Sequence, residues 1–220
     1  YVQRAADLES VFAREISSLS GTIASNVELT LEPLCAGVAI EEIYGYAAKR
    51  DGKRFTIALP DLFGGDSRKA VIRFSNTAQT RAAVKATLRF KHARTGAAHS
   101  VTSILAYDIT GNTAQVDGAV NRDVMAKVEQ AETAKSIREA MVAYEKGHAE
   151  EARKMIATQK ATTQQRASKY GYDKDARVLD LEASAEKLDD AIQAAPAATS
   201  DEGKAMRKAS KAAAGAMSKQ

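Results

Sequence analysis

The side chains best suited to catalysis or metal binding are few in this sequence and lie far apart. The three histidines, His92, His99 and His148, match no zinc signature such as HExxH or paired CxxC motifs. Cys35 is the single cysteine, so no internal disulfide can form, and we expect it to fill part of the core. We therefore predict a non-enzymatic chain without catalytic, cofactor-binding or metal-binding residues, and we keep an enzyme with a Cys35 nucleophile as a third hypothesis.

A glycine-rich stretch, Gly64-Gly65-Asp66-Ser67-Arg68, could form a backbone nest for an anion, with the Arg68 and Lys69 side chains beside it. It lacks the GxxxxGK[ST] pattern and the following helix of a phosphate-binding loop. We interpret this stretch as a loop that joins two strands.

Cationic side chains provide the better candidates for an interaction surface. Lys85, Arg89 and Lys91 alternate with apolar residues, so they should project from one face of a strand, with Arg73 and Lys69 alongside. Such a face could contact phosphates, but no aromatic side chain lies among the cations to stack on bases. We favour the solvated side of a half-buried sheet and keep a nucleic-acid-binding module as the alternative.

A second cationic group, Lys204, Arg207 and Lys208, lies in the C-terminal segment and could dock on an acidic partner. The whole chain has 32 Lys and Arg against 28 Asp and Glu, a net charge of +4, which is a mixed surface rather than a single-sign field. We therefore expect a protein partner, which the sequence does not identify, rather than nucleic acid. The sequence specifies no oligomeric state.

No apolar run is long enough to span a membrane, and no signal peptide is recognisable. The chain begins without Met and in helical register, as a cleaved or shortened N-terminus would. We favour a cytoplasmic location, and a periplasmic or cell-surface location stays open because the N-terminus looks truncated.

The hydrophobic pattern predicts which elements must position these side chains. Residues 3–19 have apolar positions at helical spacing, and residues 26–110 change to the period of two that is typical of strands. About six strands linked by short turns indicate an antiparallel β-sandwich over residues 21–118. The first of them, Val27 to Leu31 and Val38 to Ile40, are separated by Pro33 and Gly37 and should seed the sheet.

After residue 118 helix formers dominate, and we predict a helical hairpin or small helical bundle over residues 119–195. Gly147-His148 should separate its first two helices, as in one tetratricopeptide unit, and Asp173 should cap a third helix. Residues 196–220 should form a linker and a basic C-terminal helix capped by Ser200. The predicted fold class is α+β, an antiparallel β-sandwich followed by a C-terminal helical hairpin or small bundle.

This order of elements resembles a known family. The segments LESVFAREISSLSGTIASNVELTLEPLCAGVAIEEIYGY, FTIALPDLFGGDSRKAVIRF and NRDVMAKVEQAETAKSIREAMVAYEKGHAEEARKMI are similar to the region C-terminal to the von Willebrand factor A domain in bacterial proteins of the calcium-activated chloride channel-like type. The resemblance covers residues 3–160 and depends on diffuse hydrophobic patterns.

The resemblance implies a non-catalytic, protein-binding scaffold region of a von Willebrand factor A-type protein. It also implies that a divalent cation would be held by an A domain upstream of this chain, because the family's Asp-x-Ser-x-Ser loop has no counterpart here. Asp61, Asp66 and Asp108 are not substitutes for it. Residues 1–20 would then be the last helix of that A domain or its remnant.

Overall fold

The computed structural model describes residues 21–77, 81–194 and 198–217. Within them the chain forms two compact units, one of residues 21–68 and 73–109 and the other of residues 69–72 and 110–217. The predicted helix over residues 3–19 and the segment 1–20 lie outside the described residues. So do Pro196 and Ala197 of the predicted linker.

The first unit consists of strands because apolar and polar residues alternate along it. The strands of the chain are β1 (Thr22–Pro33), β2 (Val38–Tyr44), β3 (Ala48–Asp51), β4 (Arg54–Leu59), β5 (Leu62–Phe63), β6 (Val71–Asn76), β7 (Arg81–His92) and β8 (Ala98–Asp108), and only the first two residues of β6 fall outside this unit.

Six strands form one sheet in the order β3-β4-β1-β7-β8, with the short β5 paired to the start of β1. The pairings of β1 with β4, β5 and β7, of β3 with β4 and of β7 with β8 are antiparallel. The predicted hairpin at Asp51-Gly52 is confirmed, since Asp51 pairs with Arg54 and Gly52 has φ of 58°. That left-handed conformation suits glycine, which lacks the Cβ that would make it costly. Strand β5 directly precedes the glycine-rich stretch that was predicted as a loop.

Strands β2 and β6 form a separate two-stranded sheet. Val38 of β2 is buried against Ala82 and Val84 of β7, and Phe74 of β6 and the Cys35 side chain lie against the same cluster. Residues of the two sheets therefore share one apolar cluster. Cys35 is partly buried there, in agreement with its predicted packing role.

The second unit is helical. Its helices are α1 (Thr113–Gly118), α2 (Arg122–Glu145), α3 (Ala149–Tyr170), α4 (Ala176–Ala194) and α5 (Asp201–Met217). Helix α2 packs against α3, α4 and α5, and the shared core is formed by alanine and a few large side chains, among them Ile137, Met141, Tyr144, Ile156, Leu188 and Ile192.

The predicted α+β class, antiparallel sheets followed by C-terminal helices, is confirmed. Gly147, with φ of 86°, separates α2 from α3 as predicted, and the Ser200 hydroxyl accepts a hydrogen bond from Gly203 N at 3.0 Å at the start of α5. None of the helices described here is long and apolar enough to cross a membrane.

The predicted cap of the third long helix was wrong by two residues. Asp175, not Asp173, begins α4: its carboxylate accepts a hydrogen bond from Arg177 N at 2.9 Å. Asp175 N donates to the Tyr172 carbonyl at 3.0 Å, so the chain makes one more turn before the helix starts. The short helix α1, whose first turn is capped by Asn112, was not predicted.

Candidate functional site

The predicted cationic face is formed by β7. The register of β7 with β1 determines which side chains lie opposite the three cations. Lys85 lies opposite Glu32, and Arg89 lies opposite Glu28. Lys85 Nζ is 2.7 Å from Glu32 Oε2, and Arg54 Nη2 of β4 is 3.3 Å from Glu32 Oε1. Carboxylates of the neighbouring strand therefore face two of the three predicted cations.

The bond from Lys85, and after it the bond from Arg54, lowers the pKa of Glu32 below its ordinary value. Glu32 thus stays ionised at neutral pH and offsets the positive potential around Lys85. Lys91, at the end of β7, pairs with Ser25 and is exposed.

Uncharged residues separate the charged pairs on this face. Thr56, Thr30, Thr87 and Thr102 form one row across β4, β1, β7 and β8. The hydroxyls of Thr30 and Thr56 are 3.4 Å apart and those of Thr87 and Thr102 are 3.2 Å apart. The face is therefore a mixed polar surface, and no aromatic ring lies in this row.

The prediction that Arg73 and Lys69 extend the same face was wrong. Arg73 lies on β6, in the two-stranded sheet, with its guanidinium over the Tyr44 ring at 5.6 Å and 4.0 Å from Glu42 Oε2. Lys69 precedes β6 and is not part of the six-stranded sheet. The alternation of apolar and polar residues predicted on which face of its strand each side chain lies, but not the sheet to which that strand belongs.

The second predicted cationic group lies on α5. Arg207 Nη1 is 3.2 Å from Glu145 Oε1 at the end of α2, and Lys211 Nζ is 2.6 Å from the same oxygen. Hydrogen bonding from Lys211 is the main cause that lowers the pKa of Glu145. Lys204 is 3.2 Å from Asp201 on its own helix. Part of this charge therefore holds α5 to α2.

Lys208 lies on the same helix as Lys204 and Arg207, and its side chain is exposed. The predicted docking of this helix on an acidic partner stays a prediction.

The glycine-rich loop is closed by its own acidic residue. Asp66 Oδ2 accepts hydrogen bonds from Phe63 N at 3.2 Å and from Arg68 Nη2 at 2.9 Å. A carboxylate therefore already uses donors that a bound anion would need, which agrees with the interpretation of this stretch as a connection.

Two of the three histidines contribute to local structure in the hairpin between β7 and β8, whereas His148 precedes α3, with its Nδ1 3.3 Å from Glu151 Oε2. His92 Nδ1 accepts from the backbone N–H groups of Arg94 and Thr95, each at 3.3 Å, and the His99 ring stacks on Phe90 with centroids 5.3 Å apart. Across residues 21–77, 81–194 and 198–217, no three His, Cys, Asp or Glu side chains come close enough to hold a metal ion.

A buried carboxylate, which was not predicted from the sequence, lies at the centre of a polar cluster in the helical unit. Glu129 of α2 is 0% exposed and accepts from the Thr163 hydroxyl at 2.6 Å and the Tyr172 hydroxyl at 3.1 Å. Arg166 Nη1 is 3.3 Å from Glu129 Oε1, and its Nη2 is 2.5 Å from Glu132 Oε2. We call these five residues the Glu129 cluster.

The electrostatics of the Glu129 cluster are those of a structural network. Burial is the main cause that raises the pKa of Tyr172, and the Glu129 charge adds to it. Burial also lowers the pKa of Arg166, but hydrogen bonding to Glu132 and the charges of both carboxylates outweigh that effect and raise it. Both oxygens of Glu129 have partners, so the cluster joins α2 to α3 rather than presenting a reactive group. A polar residue at a core-facing helical position was the only sequence signal for it.

Two openings are lined by described residues of the helical unit. A cavity of about 10 Å³, lined by Thr133, Ser136 and Thr163 among others, has room for about one water molecule. An open cleft of about 270 Å³ is lined by Arg177, Asp180 and Ser184 among others. Arg177 there is already paired with Asp123 at 2.7 Å and with Asp175 at 2.6 Å.

Strand β8 has the most unusual surface of the described residues. It pairs with β7 alone and forms one edge of the six-stranded sheet. Val101 and Ile104 are each 59% exposed and Leu105 is 58% exposed. The mostly apolar sequence of this strand suggests a core position and gives no sign that it is an exposed edge.

Comparison with known proteins identifies fold relatives only. No protein-family profile matches the chain. No curated protein sequence matches it. One solved structure of similar fold is the human COPII-coat protein Sec24c, with 11% identity and a TM-score of 0.54, over 94% of this chain and 27% of that chain. At this identity the match shows a shared fold and nothing about activity.

A second similar structure is the ArnB paralog VWA2 from Sulfolobus acidocaldarius, with 14% identity and a TM-score of 0.47, over 87% of this chain and 42% of that chain. The chain thus spans less than half the length of each of these two proteins.

Proposed function

We propose that the chain is a non-catalytic protein-interaction region of a von Willebrand factor A-type protein, and that β8 is the surface through which it binds. Its place in the parent protein would be C-terminal to an A domain, and any divalent cation would belong to that A domain. The observation that carries the proposal is the exposed apolar edge at β8.

Exposed sheet edges with apolar side chains are rare because they pair with other chains. Proteins normally protect an edge with charges, proline, a bulge or a short strand. The opposite edge follows this rule, since β3 has four residues and three of them are charged: Lys49, Arg50 and Asp51. Residues 99–107 of β8 contain no Lys, Arg, Asp, Glu or Pro. Such an edge supports binding to a protein by strand addition.

The alternative, nucleic-acid binding by the cationic face, has weaker support. Phosphate binding depends on cations that can replace released counterions, and here Glu32 and Glu28 lie opposite Lys85 and Arg89. The charge available to phosphates on this face is therefore reduced.

Photo-crosslinking in the cells that naturally make this protein tests the proposal. A photoreactive amino acid replaces Ile104 on the β8 edge in one variant and Lys49 on the β3 edge in a matched control. We expect a crosslinked protein product, identified by mass spectrometry, at position 104 and little or none at position 49. If the two positions give the same products, or neither gives any, the proposed role of β8 is wrong.

A further inference from the structure

We propose that the partner of β8 is β8 of a second copy of this chain, paired antiparallel about a two-fold axis through Ser103. The inference rests on the proposed function, because it names the partner of the same edge. The two six-stranded sheets would then join into one continuous sheet.

The backbone of β8 is suited to strand addition along its whole length. Its register with β7 runs without a break from Arg81 opposite Asp108 to Lys91 opposite Ala98. Every second residue of an edge strand directs its N–H and C=O away from the sheet, where they can bond another strand. No strand of the described residues pairs with this outer side of β8.

The side chains of β8 are complementary to themselves in this register. A two-fold axis through Ser103 places Val101 of one copy opposite Leu105 of the other, and Thr102 opposite Ile104. The register with β7 puts Val101 and Leu105 on one face of the sheet and Thr102 and Ile104 on the other. The two residues of each opposed pair would therefore lie on the same face of the joined sheet. Directly opposed side chains lie about 4.5–5.5 Å apart at their Cβ atoms, within contact distance.

The pairing would therefore cover all three exposed apolar side chains at once. Shifting the axis by one residue in either direction shortens the paired segment and places Val101 or Leu105 opposite a serine, histidine or tyrosine instead. The register through Ser103 uses the full strand, Ala98–Asp108, and is the one that we propose.

The charges at the ends of β8 agree with this arrangement. Asp108 of one copy would lie opposite Ala98 of the other, whose neighbour on β7 is Lys91. Asp108 is exposed, and Arg81 Nε is 4.0 Å from its Oδ1. The second copy would add the Lys91 cation on the other side of this carboxylate, and no like charges would face each other across the new pair.

The opposite edge limits the assembly to two copies. Strand β3 is short and charged, so it does not offer a second surface for the same pairing. An interface that uses one patch on both copies is closed by its two-fold symmetry, and the result is a dimer rather than a fibre. One strand pair buries little surface, so we expect a dimer whose population depends on protein concentration.

Disulfide trapping tests the register. Ser103→Cys, made in a Cys35→Ala background, puts the two introduced thiols next to each other at the axis. Ala98→Cys in the same background is the matched control, because residues 98 of the two copies would lie at opposite ends of the strand pair. Under mild oxidation we expect a covalent dimer of twice 23.5 kDa from the Ser103→Cys variant and mainly monomer from the Ala98→Cys variant.

Sedimentation velocity measures the same association without crosslinks. We expect a monomer–dimer equilibrium for the natural chain and a shift of at least tenfold toward monomer for Ile104→Lys, with an unchanged far-UV circular dichroism spectrum. A natural chain that stays monomeric, together with a Ser103→Cys variant that forms no covalent dimer, overturns the inference, as does equal trapping at positions 98 and 103. If position 104 crosslinks only to a different protein in cells, the second copy is refuted while the proposed interaction role of β8 stands.

Discussion

The Glu129 cluster predicts a large loss of stability when its carboxylate is removed. Glu129→Ala leaves the Thr163 and Tyr172 hydroxyls without their acceptor and removes one of the two carboxylates that face Arg166. Glu129 is 0% exposed, so water does not replace these contacts without a rearrangement of the core. Removing one partner of a buried charge pair costs about 3–5 kcal/mol.

The expected effect is large enough for an ordinary unfolding experiment. At about 4 °C per kcal/mol for a domain of this size, the melting temperature of the helical unit should fall by roughly 12–20 °C. Circular dichroism at 222 nm follows this unit selectively, because the other unit consists of strands.

Two further variants distinguish the loss of the buried network from the effect of replacing any charged residue on a helix. Glu129→Gln keeps the shape and an acceptor oxygen for one of the two hydroxyls, but it presents an NH2 group to the other and removes the charge that faces Arg166, so its loss should be intermediate. Glu186→Ala removes an exposed pair, Glu186 with Lys160 at 3.5 Å, and exposed pairs contribute about 0–1 kcal/mol. If Glu129→Ala and Glu186→Ala lower the melting temperature equally, the buried network does not stabilise the helical unit.

Three further predictions concern single residues. Lys127 and, after it, Arg177 lower the pKa of Asp123 to about 2 from an ordinary 3.8, so its ionised form stabilises the fold above that ordinary pKa and the effect disappears as pH falls toward 2. The difference in urea midpoint between the natural chain and Asp123→Asn should therefore be constant above about pH 5, decrease between pH 5 and pH 2 and be largely lost below pH 2; a difference that does not decrease over this range would contradict this. Gly171→Ala should lower the stability of the helical unit by roughly 1 kcal/mol, because Gly171 has φ of 69° at the end of α3, whereas Gly118→Ala, with open space around it, should be neutral in the same melting assay. In fluorescence anisotropy at low salt, the chain should not bind a labelled single-stranded oligonucleotide; tight binding that weakens steeply with added salt, and is lost in Lys91→Ala, would favour the nucleic-acid alternative.

Local patterns predicted most elements of the fold. The alternation in β1, β4 and β7 identified these strands and the faces of Lys85 and Arg89, since side-chain direction in a strand depends only on the parity of the position. Gly147 and Ser200 marked helix ends because their conformational and capping preferences are local.

Features that depend on register or sheet order could not be predicted in the same way. The pair of Lys85 with Glu32 depends on which strand lies beside β7, and the separation of Arg73 from that face depends on which sheet contains β6. An apolar strand has the same pattern in the centre of a sheet and at its edge, so the sequence did not show that the side chains of β8 are exposed. Glu129 was missed because its three partners lie more than thirty positions away in the sequence.

The attachment of α5 bears on the cooperativity of the helical unit. The buried residues of α5 are small, Gly203, Ser210 and Ala214, while α2 and α3 share the Glu129 cluster and the large side chains of the core. Detaching α5 would break the two ion pairs at Glu145 and, apart from the partly buried Met206 and Met217, would uncover only small side chains of its own. Helix α5 can therefore open as a separate unit at a lower free energy than α2 and α3, and its amide hydrogens would exchange with solvent while theirs stay protected.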